Sequence, residues 1–538
     1  MNAKKFVNLS KFLLAGALVL GMTACSSDDD ITKGGTETDV KTYMTVSISN
    51  DAIQRTINTG SNTNNDPNEE GTAPENAINH LSILLVKDGK VDKIITDPTM
   101  VTTTTSISGV ETKGQRTTPF PVLTGTYKIY VIANPVAGLI GDGTVQGTIQ
   151  VGMNESALQA YSSELLNYAD ATNGFMMTNC INYNNDNTNI PSVTVTAANT
   201  QTNPAIPSTI KVDRIAVKVR ISAKNQTNNV FNFTPSASIP IIQENGSTVD
   251  VTNISITGWT LLNTVKSTNT YQQWGNANNN FTNDLKATNF TSGITQAAYN
   301  NIMDNYSTRT QDTDSASLTG YTSLKDLTAT TSFTPLVAAT STDKNISYCL
   351  ETNPLPIKSY NNGYTKYENE APGVLFQATA SINNQAPTSF FGYAGKYYQS
   401  LLAIQNAYPN AFAAGSLQDA ETLTTSTSTE DNHSTLRTKY GIKYYKDGVM
   451  YFTKYIRDNN YTTDYSAYGV TGISSAEHYY ALIRNSIYDL NIKTVSGIGT
   501  DIPFGWNPNE TPIDDANTYL KVDIVVNKWA LNSYDVNL

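Results

Sequence analysis

The chain has 538 residues, of which 39% are hydrophobic and only 15% charged, with a formal net charge of −11. That acidic balance excludes the basic footprint of a nucleic-acid binder. The length suggests a few domains, and the abundance of Asn, Thr, Ser and Tyr suits an all-β fold with long polar loops rather than a helical bundle.

Residues 1–24 read as an export signal: Lys4, Lys5 and Lys11 supply charge, and Phe12 to Leu20 supply an apolar run too short to span a membrane. Leu-Gly-Met-Thr-Ala-Cys at 20–25 resembles a bacterial lipoprotein signal, which makes Cys25 the lipidated residue. Residues 25–40 are an acidic tether beginning with Ser26, Ser27 and Asp28 to Asp30, similar to the surface-export tag of Bacteroidetes-type lipoproteins. Lys41 to Ser49 is a strand with Met44, Val46 and Ile48 on one face, followed by a polar loop to Pro74. Ile78 to Val86 and Val91 to Ile95 form a hairpin around Asp88-Gly89. A strongly apolar strand starts at Tyr127 and stops at Asn134-Pro135; Ser156 to Asn167 reads as a short helix; Val193 to Val195 and Ile210 to Ile221 are strands. In the last of these, Ile215, Val217, Val219 and Ile221 face one way, and Arg214, Lys218 and Arg220 the other.

A boundary near residue 205 divides the rest into domains 41–205 and 206–538. The second has strands near 249–262, 373–382 and 448–457, long irregular regions at 265–345 and 405–440, and a short helix over Ser475 to Arg484 leading into the strand Tyr488 to Val495. Residues 519–538 alternate twice: Leu520, Val522, Ile524 and Val526, then Trp529 and Leu531 on odd numbers, then Tyr534, Val536 and Leu538. The change of phase predicts a bulge near Asn527–Lys528, and so apolar a strand needs a sheet to join, in its own subunit or a neighbour's.

No pattern carries enzyme chemistry. His80, His433 and His478 lack metal spacing; His80 reads as structural in a strand, His433 lies in a polar loop and His478 in the helix. Gly497-x-Gly499 lacks the third glycine of a dinucleotide loop, and no nucleophile elbow is present. No metal or cofactor is expected. Cys180 and Cys349 could pair in an oxidising compartment or stand as isolated buried thiols.

Several segments together resemble the fimbrillin-type shaft pilins of Bacteroidia, the type V pilins, in particular the major subunit of the minor, short fimbriae. They are Tyr130 to Pro135, Gly174 to Asn179, Val212 to Arg220, Gly448 to Ile456, and the Arg-Asn-x-x-Tyr-x-Leu-x-Ile run from Arg484 with its Gly-Ile-Gly at 497–499. The resemblance implies two transthyretin-like β-sandwich domains and no enzyme activity. It also implies a surface lipoprotein cut by an arginine-specific protease after the first strand, which Arg55–Thr56 fits. The cut would release the strand with Met44, Val46 and Ile48, and the groove would take a neighbour's carboxyl-terminal strand, with Trp529, Leu531, Tyr534, Val536 and Leu538 as donor residues. The implied partners are copies of the chain itself, anchor and tip fimbrial subunits, the protease, and host or bacterial surface ligands met in adhesion and biofilm formation. Asp314-Ser315-Ala316 resembles a Bacteroidetes O-glycosylation site at Ser315. The alternative is a monomeric, lipid-anchored surface glycan-binding protein that keeps its first strand; a surface glycoside hydrolase has no supporting motif.

Overall fold

Strands dominate the computed structural model. It describes residues 41–49, 68–107, 110–141, 148–159, 161–164, 168–170, 172–179, 190–223, 230–232, 238–262, 264–265, 267–271, 321–322, 333–337, 345–351, 372–456, 458–463, 477–479, 482, 484–501 and 520–530. All of these fall in one unit, Lys41–Leu538.

The amino-terminal half is built on a sheet whose order is Lys90–Thr96, Leu81–Lys87, Gly125–Ala133, Met177–Asn179, Ile210–Arg214, Ser47–Ser49, Val110–Thr117 and Met100–Ile107. Its centre is buried on both faces. Leu81, Ile83 and Leu85 join Tyr127, Ile129 and Val131 in one core. The alternate residues Leu84, Val86, Tyr130 and Ile132 pack with Leu139, Ile149 and Leu158 in another. This explains the near-continuous apolar runs, which are what a two-sided strand requires. The turn at Asp88-Gly89 has positive φ at both residues (50° and 74°), as a two-residue hairpin turn demands.

The second half is a sheet-on-sheet sandwich. One sheet has the order Ile346–Leu350, Ala216–Ser222, Ser486–Val495, Leu520–Ala530 and Asn68–Glu70. The other runs Lys443–Tyr445, Phe390–Tyr393, Lys396–Tyr398, Ile239–Ile242, Thr248–Leu262, Gly373–Ile382 and Val449–Tyr455. Between them Val217, Val219, Tyr488 and Leu490 meet Val251, Trp259, Phe376 and Met450.

Several expectations need correction. The 210–221 run is two strands, Ile210–Arg214 and Ala216–Ser222, belonging to different sheets and parting at Ile215. Its polar face is buried as well: Arg214, Lys218 and Arg220 are 0%, 3% and 9% exposed. The 405–440 region is helical, with helices Leu401–Ala407, Gln418–Thr422 and Glu430–Tyr440. Its end signals are local: Ser400 Oγ accepts from the Ala403 N–H, Thr429 and Asn432 form a capping box, and Gly441 closes the last helix at φ 68°. His433 is therefore a buried helix residue. Glu477–Tyr479 is a strand paired with Asp458–Thr463, so His478 sits on no helix. The helix at 156–167 is shorter, Glu155–Gln159, and a strand Ser162–Glu164 follows. Asn527 and Lys528 pair regularly with Ile487 and Ser486; the irregularity lies at the other end of the ladder, between Ile492 and Thr494, opposite Val522 and Lys521.

Candidate assembly site

The first strand lies inside the structure rather than on its rim. Thr42–Met44 pairs antiparallel with Phe120–Val122 on one side. On the other, the Tyr43 N–H donates to Asn199 O (3.0 Å), the Ala205 N–H to Tyr43 O (2.9 Å) and the Thr45 N–H to Ala205 O (3.0 Å). Thr45 then marks a sheet change. Its hydroxyl donates to Thr117 O at 2.6 Å and accepts from Arg116 Nε at 3.1 Å. Beyond it Val46 and Thr117 exchange two bonds: the Val46 N–H donates to Thr117 Oγ1, and the Thr117 N–H to Val46 O.

Ser47–Ser49 continues between two neighbours, with Ile48 opposite Ile210 in parallel register and opposite Gln115 in antiparallel register. In the order of that sheet, Ser47–Ser49 is the link between Ile210–Arg214 and the Met100–Thr117 hairpin. Met44, Val46 and Ile48 are 0%, 0% and 1% exposed and belong to the amino-terminal core with Phe120, Val122 and Ile210. Each such side chain is worth roughly 1.5–3 kcal/mol of burial. The strand is thus one that this sequence can lose only by opening an apolar groove lined by unpaired backbone on both walls.

The terminal strand Leu520–Ala530 pairs antiparallel with Ser486–Val495, from Ser486↔Lys528 to Val495↔Leu520. Its last residues also pair in parallel with Asn68–Glu70. Residues 520–530 of the expected donor segment are therefore at home in their own sheet, and Trp529 lies opposite Glu69. Residues 443–535, which include this strand, match the family model "Major fimbrial subunit protein type IV, Fimbrillin, C-terminal".

The carboxyl-terminal region of this chain is similar to that of the fimbrillins.

No curated protein matches it. Among solved structures, a fimbrilin from Porphyromonas gingivalis W83 is similar at 14% identity and TM-score 0.36, covering 93% of this chain and 100% of that one. The tip fimbrial protein of Porphyromonas gingivalis with a truncated carboxyl terminus gives 12% identity and TM-score 0.37, over 91% of this chain and 100% of that one. A fimbrial assembly protein from Parabacteroides distasonis gives 10% and 0.25, over 64% and 84%.

The sequence motifs acquire physical roles. In the Arg-Asn-x-x-Tyr-x-Leu-x-Ile run, Tyr488, Leu490 and Ile492 are core residues. Arg484 is 1% exposed and lies 3.4 Å from the equally buried Glu351 carboxylate. Asn485 adopts φ 56°, and its amide donates to Asp213 at 2.7 Å. Gly499 lies against Tyr451, where an added Cβ would collide with the carbonyl, and its own carbonyl accepts from Tyr445 OH at 3.1 Å. Asp501, within the matched region, accepts from Arg437 Nε (2.8 Å) and from the Tyr444 N–H (2.9 Å), which ties the helical layer to the sandwich.

Cys25, Arg55, Thr56, Ser315, Leu531, Tyr534, Val536, Leu538 and Cys180 lie outside the described residues. Cys349 is a free, buried thiol that burial pushes up to about 12. His80 lies just before the Leu81 strand, its ring 3.2 Å from Asp97. Among the described residues no cluster of His, Cys, Asp or Glu could hold a metal ion, and no helix is long and apolar enough to cross a membrane.

Sequence reasoning missed three features of the site: the Thr45 switch, the wall at 199–205, and the buried charges at 214, 218 and 220. The first two depend on non-local pairing. The third had a signal, since basic residues alternated with core positions, but their acidic partners are far away in sequence.

Proposed function

We propose that this chain is a fimbrillin-type structural subunit of a cell-surface fimbria that polymerises by strand exchange. It is exported as a lipoprotein through Cys25, cut between Arg55 and Thr56 by an arginine-specific protease, and assembled with copies of itself and with anchor and tip subunits. Its role is in the shaft, supporting adhesion and biofilm formation.

The observation that carries this reading is the position of the first strand. It is hydrogen-bonded on both sides and contributes three core residues, Met44, Val46 and Ile48. Arg55 follows its end by only a few residues. One cut thus separates a strand that fills a groove from the body that holds it. An incoming strand would gain a ladder on both walls, with alternate side chains in the places of Met44, Val46 and Ile48. In this proposal the donor contacts are Leu531, Tyr534, Val536 and Leu538, with Trp529 at the root where the strand leaves its home sheet. Because donor and groove are different surfaces, the contact is heterologous and repeats into an open fibre. Until the cut, the subunit's own strand occupies the groove and polymerisation is blocked.

Deleting residues 531–538 tests the proposal. The expected product is a folded, exported monomer that is processed but yields no high-molecular-weight ladder. Fibres of normal length from that variant would show that these residues are not the donor.

A further inference from the structure

The segment following the processing loop returns to the far end of the chain. Asn68–Glu70 runs parallel to Lys528–Ala530, in register Asn68↔Lys528, Glu69↔Trp529 and Glu70↔Ala530. Among the described residues it is the last strand of its sheet, and it covers the outer edge of the terminal strand at Lys528–Ala530. An uncovered edge there would offer unpaired N–H and C=O groups to any other edge, including that of a second copy.

Three residues of parallel pairing are a weak hold, but the chain next to them is fastened in the protein interior. Thr72 opens the short helix Ala73–Asn76 with a capping box closed by Glu75. The Glu75 carboxylate, 2% exposed, accepts from the Thr72 N–H (2.7 Å) and Tyr348 OH (2.6 Å) and is paired with Lys218 Nζ (2.9 Å). Its carbonyl accepts from Arg214 Nε (2.8 Å), and the same guanidinium donates to Asn76 Oδ1 and to Asn485 Oδ1. One acidic residue is thereby held by Ile210–Arg214 of the amino-terminal sheet and by Ala216–Ser222 and Ile346–Leu350 of the carboxyl-terminal sandwich. Buried ion pairs add little net stability because desolvation opposes the attraction; what such a network does well is fix one arrangement.

We propose that Asn68–Glu70 is a guard strand. The Glu75 network pins it over the edge of Lys528–Ala530, so that this edge cannot recruit the sheet edge of a second copy. Edge-to-edge association through Lys528–Ala530 is thereby excluded. The guard lies carboxyl-terminal to Arg55, so it stays with the mature subunit; only this last point rests on the cleavage reading above.

The test uses the intact, uncut chain and the variant Glu69→Pro, which removes an N–H from the guard and cannot continue a ladder. Hydrogen exchange is followed by mass spectrometry across 524–531 and across 487–492, and association by light scattering. The expected result is at least about fivefold faster exchange at 528–530 with 487–492 unchanged, together with oligomers formed without cleavage. A second variant, Glu75→Leu with Lys218→Met, removes the anchor without leaving a lone buried charge, and should show the same pattern. Unchanged exchange at 528–530 in both variants would overturn the proposal, and so would faster exchange with the chain still monomeric. Failure of the wild-type chain to be cut or to form fibres would sink the assembly reading instead and leave this test untouched.

Discussion

Replacing Ile48 by Ala should destabilise the uncut subunit and leave the fibre unaffected. Ile48 is 1% exposed and packs in the amino-terminal core between the walls formed by Ile210–Arg214 and Val110–Thr117. The substitution removes carbons worth about 0.8 kcal/mol each in transfer from water. A residual cavity adds to this, and Ile-to-Ala changes at such sites cost about 2–5 kcal/mol. Against a typical total of about 5–15 kcal/mol, that is a large share of the subunit's stability. Equilibrium urea unfolding of the uncut chain reads it directly as a lower midpoint at unchanged slope. Under strand exchange residue 48 is absent from the assembled subunit, so fibres of wild-type and Ile48→Ala chains should dissociate at the same temperature. A variant fibre that melts earlier would mean that the first strand remains in the groove, and strand exchange at this site would be refuted.

Further outcomes follow from the buried groups. Cys349, whose thiol burial pushes up to about 12, should resist alkylation in the native chain at pH 8 and react once the chain is unfolded; rapid native labelling would contradict its burial. Burial alone would raise the Glu75 carboxyl, but hydrogen bonds from Tyr348, Lys218 and the Thr72 N–H, with the Lys218 charge, hold it below its ordinary value. A carboxyl held low in the folded state contributes stability that is complete above its unfolded titration and is lost as pH falls through the folded one. Below about pH 4.3 the wild type should therefore lose stability more steeply than Glu75→Gln, as thermal melts across pH would show. Removing one member of the Arg484–Glu351 pair, both 1% exposed, strands a buried charge. Arg484→Met should cost about 3–5 kcal/mol in urea unfolding, and a loss below about 1 kcal/mol would show that the charge is relieved elsewhere.

Much of the architecture was legible because it rests on local pattern. The Asp88-Gly89 hairpin, the 373–382 strand and the alternation in Lys41 to Ser49 each follow from period and turn chemistry, and the structure has them. What the sequence concealed is mostly long-range. The sheet change at Ile215 did leave a local trace, since the apolar residues fall on even positions at Ile210 and Val212 and on odd positions from Ile215 onward, but which sheet each part joins is set by distant strands. The burial of Arg214 and Lys218 was not legible because their partner Glu75 is more than a hundred residues away. The 405–440 helices were hidden by composition. Glu430–Tyr440 buries Leu436 and His433 and is otherwise polar, so the caps at Thr429 and Gly441 carried the signal that periodicity did not. The candidate site divides the same way. Met44, Val46 and Ile48 were readable from alternation, whereas their walls, Val110–Thr117, Phe120–Val122, 199–205 and Ile210–Arg214, lie elsewhere in the chain.

The most direct test of cleavage-activated strand exchange is the intact mass and amino-terminal residue of the protein recovered from fibres sheared off the cell surface. Strand exchange predicts a chain beginning at Thr56, free of lipid, in a ladder of high-molecular-weight species. A polymer whose subunits still begin at lipidated Cys25 and retain Met44, Val46 and Ile48 would contradict it.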